Sequence, residues 1–265
     1  ALRVDFYEPN TATATVDGVE VGLAMTTDYP DGGVVNLTVS PAQATDFTLK
    51  LRLPEWAYNV ELKVNGITAD VPLTPGKYAA VQRTWQAGDT VRLRFDMTAR
   101  LIRRPAMTGI VGAAIQRGPE VLSLDSRDNA GLDLSTVSFY ENPVVLPGGT
   151  SADGRRLYTC QAEVDGSPQE VVLTPYADCG NDGATYVTVT PVSTAASPGP
   201  MLGDFNNDGA LNGLDIPGFK QALSMGRNAY YDQTGLDADL IGDFNGDGAL
   251  NGLDIPGFKA GLAGN

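Results

Sequence analysis

The chain has 265 residues, of which 42% are apolar and only 19% charged, with 31 Gly and 17 Pro, a balance that suits short strands joined by turns. A net charge of −14 argues against nucleic-acid binding, which needs clustered Lys and Arg, and fits a cation-binding or simply soluble acidic surface. The absence of His rules out Ser-His-Asp and Cys-His catalysis and any His-ligated metal, and no apolar run reaches the eighteen residues of a membrane-spanning helix.

The opening "ALRVDFYEP" has neither an initiator Met nor a leader, and it resembles the middle of a strand, so a longer parent chain is expected. From there to about Pro191 the apolar pattern has period two. In "FTLKLRL", Phe47, Leu49, Leu51 and Leu53 face one way and Thr48, Lys50 and Arg52 the other. "VVNLTV" (Val35, Leu37, Val39), "VELKV" (Val60, Leu62, Val64) and "VRLRF" (Val91, Leu93, Phe95) repeat the alternation. Asp17-Gly18, Asn65-Gly66 and Asp165-Gly166 lie between such stretches and tolerate the positive φ of tight hairpin turns. The expectation is mainly β: an antiparallel β-sandwich region over residues 1–190, as one unit or as two divided near 103–109.

Several residues in this region are of types that carry chemistry. Cys160 and Cys179 are the only thiols. Paired, they would close a short loop worth roughly 3 kcal/mol; unpaired, they would be buried free thiols, and the sequence leaves both open. Glycosidases place two carboxylates about 5–5.5 Å or about 6.5–9.5 Å apart. Asp28, Glu55, Asp125 and Asp128 show no spacing that pairs any two of them, and solvated turn positions are expected. Trp56 and Trp85 could stack on sugar rings, but core or edge packing is the commoner role of a large aromatic at a strand end. Asn36-Leu37-Thr38 fits a glycosylation signal but sits inside a strand.

Five blocks in order, "TTDYPDGGVVNLTV", "FTLKLRLPEWAYNVELKVNG", "RTWQAGDTVRLRFDM", "AAIQRGPEVLSL" and "LTPYADCGND", resemble the C-terminal β-sandwich region of the β-L-arabinofuranosidase family of glycoside hydrolases. In that family catalysis belongs to a preceding helical barrel with a zinc site of Cys and Glu, and no matching Cys-Glu cluster occurs here. The family's Tyr-Tyr-Ala-Trp-Ala-Asn-Arg corner is "YADCGND" in this chain, so no catalytic residue is carried over. The resemblance implies a secreted, carbohydrate-degrading parent and a chain that is not catalytic alone.

"PVSTAASPGP" (Pro191–Pro200) carries no charge and one large apolar residue, so residues 191–200 are expected to be a linker. Residues 201–265 then hold nine Asp and three basic residues, a net of −6, against −8 for the rest of the chain, which is three times longer.

The acidic segment contains a near-perfect repeat. "GDFNNDGALNGLDIPGFK" from Gly203 returns as "GDFNGDGALNGLDIPGFK" from Gly242, with 17 of 18 positions identical. Counting from Asp204, oxygen-bearing Asp204, Asn206, Asp208, Asn212 and Asp215 fall at positions 1, 3, 5, 9 and 12, with Gly209 at position 6. The second copy places Asp243, Asn245, Asp247, Asn251, Asp254 and Gly248 identically. This is the spacing of the twelve-residue calcium loop, in which position 7, here Ala210 or Ala249, adds a backbone carbonyl. Calcium takes six to eight hard oxygen donors, and each loop supplies three carboxylates. Position 12 is Asp rather than the usual Glu, so either its backbone must come closer or calcium must take more water. After each loop, Ile216, Phe219 and Leu223, then Ile255, Phe258 and Leu262, predict one apolar face of a short helix. Pro217 and Pro256 fit a first helical turn, while Gly218 and Gly257 each weaken a helix by up to roughly 1 kcal/mol.

With an Asp at position 12, a helix after each loop and one duplication, the segment resembles a type I dockerin module, a small α-helical, EF-hand-like domain. The resemblance implies two bound calcium ions, a cohesin-like partner on a scaffold or cell surface, and extracellular placement. The family's partner-reading positions, loop positions 10 and 11, are Gly213-Leu214 and Gly252-Leu253 here rather than small hydroxyl residues, which leaves Leu214 and Leu253 either as exposed apolar anchors or as core residues. The alternative reading is a structural calcium-stabilised tail without a cohesin partner.

Overall fold

The computed structural model describes residues 1–103, 112–195, 201–206 and 210–263. It divides into two compact units, Ala1–Met97 and Thr98–Asn265. The subdivision expected near 103–109 falls from residue 104 onward outside the described residues, as do residues 196–200 of the expected linker.

Unit 1 contains β1 (Leu2–Val4), β2 (Asn10–Val16), β3 (Val19–Thr27), β4 (Val34–Pro41), β5 (Thr45–Arg52), β6 (Glu61–Val64), β7 (Ile67–Thr68), β8 (Tyr78–Trp85) and β9 (Asp89–Arg94). A six-stranded sheet runs β2-β3-β4-β9-β6-β7, and a three-stranded sheet runs β1-β5-β8. The period-two residues explain why the two sheets meet. Phe47, Leu49 and Leu51 of β5 join Val35, Leu37 and Val39 of β4 and Val91 and Leu93 of β9 in one buried core. Burying each such side chain stabilises by about 1.5–3 kcal/mol. All pairings are antiparallel except β1 with β5, which is parallel, so the expectation of a purely antiparallel unit is corrected there. Two of the expected hairpin turns lie in this unit, with Asp17 at φ 50° before Gly18 and Asn65 at φ 49° before Gly66.

Trp85 is fully buried and donates its indole N–H to the Phe47 carbonyl at 3.0 Å. Trp56 packs against Tyr29 and Phe95, with ring centroids 6.3 and 5.4 Å apart. Both tryptophans therefore serve the core.

Unit 2 opens with β10 (Arg100–Arg103), β11 (Ala113–Arg117), β12 (Glu120–Asp125), β13 (Val137–Phe139), β14 (Val145–Thr150), β15 (Arg156–Val164), β16 (Ser167–Pro175) and β17 (Tyr186–Val187). These form one branched antiparallel sheet, where a two-sheet sandwich was expected. The long β15 causes the branching, because it carries β14 along Arg156–Cys160 and β13 along Ala162–Val164. The sheet encloses its own core of Ile115, Leu122, Leu124, Val137, Phe139, Val171 and Leu173, among others. The third expected turn, Asp165-Gly166, joins β15 to β16. The expected linker begins as sheet rather than as free chain. Phe139 donates its N–H to Pro191 O, and Ser193 donates its N–H to Phe139 O.

Cys160 and Cys179 are both free thiols. Burial in the core pushes the Cys160 thiol up to about 12. Asp125 and Asp128 are not the solvated turn residues expected. The Asp125 carboxylate is fully buried and accepts the Arg127 guanidinium N–H groups at 3.0 and 2.8 Å and the Gly180 N–H at 3.1 Å. Asp128 pairs with Arg155 at 2.6 Å. Asp28 and Glu55 are exposed, as expected.

The chain ends in α1 (Ile216–Met225), α2 (Arg227–Thr234), α3 (Ala238–Gly242) and α4 (Ile255–Ala263). No described helix is long and apolar enough to cross a membrane.

Candidate metal centre

The two repeated loops differ in sequence at one position, and their described parts adopt the same local geometry. In the first, Asp215 Oδ1 accepts N–H groups from Phe205 (2.8 Å) and Asn206 (3.1 Å), and Oδ2 accepts from Asn212 (2.8 Å). In the second, Asp254 does the same with Phe244 (2.9 Å), Asn245 (3.1 Å) and Asn251 (2.8 Å). Both carboxylates are fully buried, and each ties positions 2, 3 and 9 of its loop to position 12. The backbone carries each carboxylate inward, and a 3-10 turn, Gly213–Asp215 or Gly252–Asp254, makes the approach.

The same residues start the helices. Asn212 accepts the Leu214 N–H at 2.8 Å, and Asn251 accepts the Leu253 N–H at 2.8 Å, each forming a capping box with its position-12 Asp. Loop order and helix initiation thus depend on one set of oxygens.

The second loop is described in full. Asp243, at position 1, accepts N–H groups from Gly246 (2.7 Å), Asp247 (3.0 Å) and Gly248 (2.8 Å). Asp247 Oδ2, at position 5, accepts amide N–H from Asn245 (2.9 Å) and Asn251 (3.2 Å). The amide bond from Asn245, and then that from Asn251, hold the Asp247 carboxyl below the usual carboxylate range. The Asn251 amide nitrogen also meets Ala249 O at 3.1 Å, so side chains or carbonyls from positions 3, 5, 7 and 9 converge.

Among the described residues no three Asp, Glu or Cys side chains stand close enough to form a ready metal cluster. Asp243 and Asp254 are turned to backbone amides instead. The donor set itself, carboxylates, amides and a carbonyl, is hard oxygen throughout and fits calcium. Of the first loop's expected ligands, Asp204 is buried, Asn212 donates toward Ala210 O at 3.5 Å, and Asp208 lies outside the described residues.

Beneath the loops the repeat builds its own core. Phe219 of α1 and Phe258 of α4 stack at 3.9 Å with 4° between their planes. Ile216, Leu223, Ile255 and Leu262 pack beside them, so the expected apolar faces are the ones buried. Phe205 and Phe244, at loop position 2, close on this pair edge-on. The helix-weakening glycines have a cause that sequence alone does not show. A Cβ on Gly218 would lie 2.7 Å from the Phe205 Cβ, and one on Gly257 would strike Phe244. The two glycines that weaken the helices let the position-2 phenylalanines approach. Helices α2 and α3 were also missed, because "RNAYYDQT" is polar nearly all round and α3 has only five residues. Leu214 and Leu253 are 68% and 70% exposed, and nothing crowds Gly213 or Gly252.

Residues 1–97 match the family model described as β-L-arabinofuranosidase, GH127 middle domain. No curated protein matches the chain. A solved glycoside hydrolase is similar at 27% identity and a TM-score of 0.66, over 72% of this chain and 36% of its own. A GH127 β-L-arabinofuranosidase from Geobacillus stearothermophilus T6 is similar at 29% identity and 0.63, over 72% and 33%. A GH127 β-arabinofuranosidase is similar at 25% and 0.62, over 74% and 35%. The chain spans about a third of the length of these structures, and the likeness covers more of it than residues 1–97 can supply. The protein is related to glycoside hydrolases of GH127.

Proposed function

We propose that this chain is a non-catalytic, C-terminal part of a secreted polysaccharide-degrading glycoside hydrolase, ending in a dockerin-like module that binds two calcium ions and anchors the parent to a cohesin-type partner. The observation that carries the reading is the identical treatment of the two loops. In each, the position-12 Asp gathers the same three backbone amides and the position-9 Asn caps the helix that follows. Asp204, Asn206, Asp208, Ala210, Asn212 and Asp215 would hold one ion. Asp243, Asn245, Asp247, Ala249, Asn251 and Asp254 would hold the other. Bound calcium would neutralise three carboxylates per loop and fix the turn from which each helix starts. Exposed Leu214 and Leu253, beside the uncrowded Gly213 and Gly252, supply two equivalent apolar anchors for the partner.

One observation favours the alternative of a structural tail. Leu146 of β14 packs into the helical core, and a Cβ on Gly235 would lie 2.9 Å from Pro147, so the module has an intramolecular seat as well. Capture of the full chain by a panel of immobilised cohesins, with and without calcium, separates the readings. Calcium-dependent capture that is lost on Leu214→Asp plus Leu253→Asp supports anchoring. Calcium binding without capture by any cohesin supports the tail.

A further inference from the structure

The second loop is held from α3, outside its own twelve residues. Asp239 clamps the second loop at two points. Its backbone carbonyl accepts the Asp243 N–H at 3.2 Å, at loop position 1, and its Oδ1 accepts the Leu250 N–H at 2.8 Å, at loop position 8. Its own placement is held from outside the loop. Asp237 caps the Asp239 N–H at 3.1 Å, and the Arg227 guanidinium reaches Asp239 Oδ2 at 3.5 Å while gripping Asp237 at 2.6 Å. At the 39-residue offset of the repeat, the counterpart of Asp239 is Pro200, which has no carboxylate.

We infer that Asp239 is a positioning residue for the second calcium loop, its side chain holding position 8 in register before the ion arrives. The inference rests on the calcium reading of the loops. Asp239 lies outside the twelve-residue loop and contributes geometry rather than a ligand. Groups that orient ligands in this way typically govern metal affinity by about 10–100-fold, and a loop already in its bound shape has less order to gain on binding.

The test is calorimetric titration of the full chain with calcium alone. An Asp204→Ala background isolates the second loop, and an Asp243→Ala background isolates the first. Asp239→Ala is expected to weaken the second loop about tenfold and to leave the first unchanged. Asp239→Asn keeps an oxygen acceptor and is expected to stay within about threefold of the parent, the scale of one modest hydrogen-bond change. Asp239→Glu keeps the charge but displaces the acceptor, and is expected to weaken the loop nearly as much as Ala. Unchanged affinity in Asp239→Ala overturns the inference. So does the inverse pattern, with Asn damaging and Glu harmless, because it would assign the effect to charge. If the Ala variant fails to fold, the Asn and Glu variants still decide. A wild-type chain that takes up no calcium overturns the underlying reading, and its flat isotherm distinguishes that failure.

Discussion

Unit 1 and the repeated loops differ in what holds them. Unit 1 buries Trp85, Phe95, Leu49, Leu51, Leu62 and Leu93 between two sheets, and its carboxylates sit largely at turns and rims. The repeat builds its core from a stacked phenylalanine pair under helices of ten and nine residues, too short to persist alone, and places buried Asp215 and Asp254 at its centre. Apolar area carries the first region. The second depends on oxygen atoms that organise loop and helix together, so its order should follow the metal while that of unit 1 should not.

The largest expected effect breaks that comparison if it fails. On the proposed function, chelation should remove most of the far-UV helical signal while leaving the strand signal in place, because each ion would contribute about 2.7 kcal/mol at a hundredfold excess over its Kd. Equal loss of helix and strand would show that the regions are not independent in this respect. Next, Phe258→Ala removes one ring of the 3.9 Å stack and should cost about 3–5 kcal/mol, read as a lower thermal midpoint of the helical signal at saturating calcium. Gly257→Ala then sharpens the comparison. Helix propensity alone predicts a gain of up to roughly 1 kcal/mol, whereas crowding against Phe244 predicts a net loss of about 1–3 kcal/mol in the same melt.

A pH effect belongs to unit 2's sheet rather than to the loops. The Arg127 guanidinium holds the Asp125 carboxyl down at about 2. Because the folded value lies below the unfolded one, the stabilisation is present above about pH 4 and is lost as pH falls toward 2. Asp125→Asn should flatten the acid limb of the sheet's stability profile in that window. The smallest effect is expected at the exposed anchors. Leu214→Ser and Leu253→Ser should change stability by less than about 0.5 kcal/mol, whatever they do to partner capture.

How much of this was legible depends on how local the cause is. Alternation in β4, β5 and β9 named the buried residues of unit 1 correctly, because period two is a property of a single strand. The spacing of Asp243 through Asp254 singles out the second loop, though not that Asp243 and Asp254 accept backbone amides there, and the i, i+3, i+7 pattern placed Phe219 and Phe258. The parallel pairing of β1 and the branching at β15 escaped, since both arise between distant segments. Asp125 looks like a solvated turn residue in sequence, because its partner Arg127 is close by but the Gly180 amide lies 55 residues away. Gly218 and Gly257 weaken their helices in isolation, and only Phe205 and Phe244, packed against them, explain their presence.

The central claim is that the duplicated loops hold two calcium ions. Equilibrium dialysis of the full chain against calcium measures it directly. The account predicts saturation at two ions per chain, falling to one in Asp215→Ala and in Asp254→Ala. No uptake above buffer, or uptake unchanged in both variants, would contradict it.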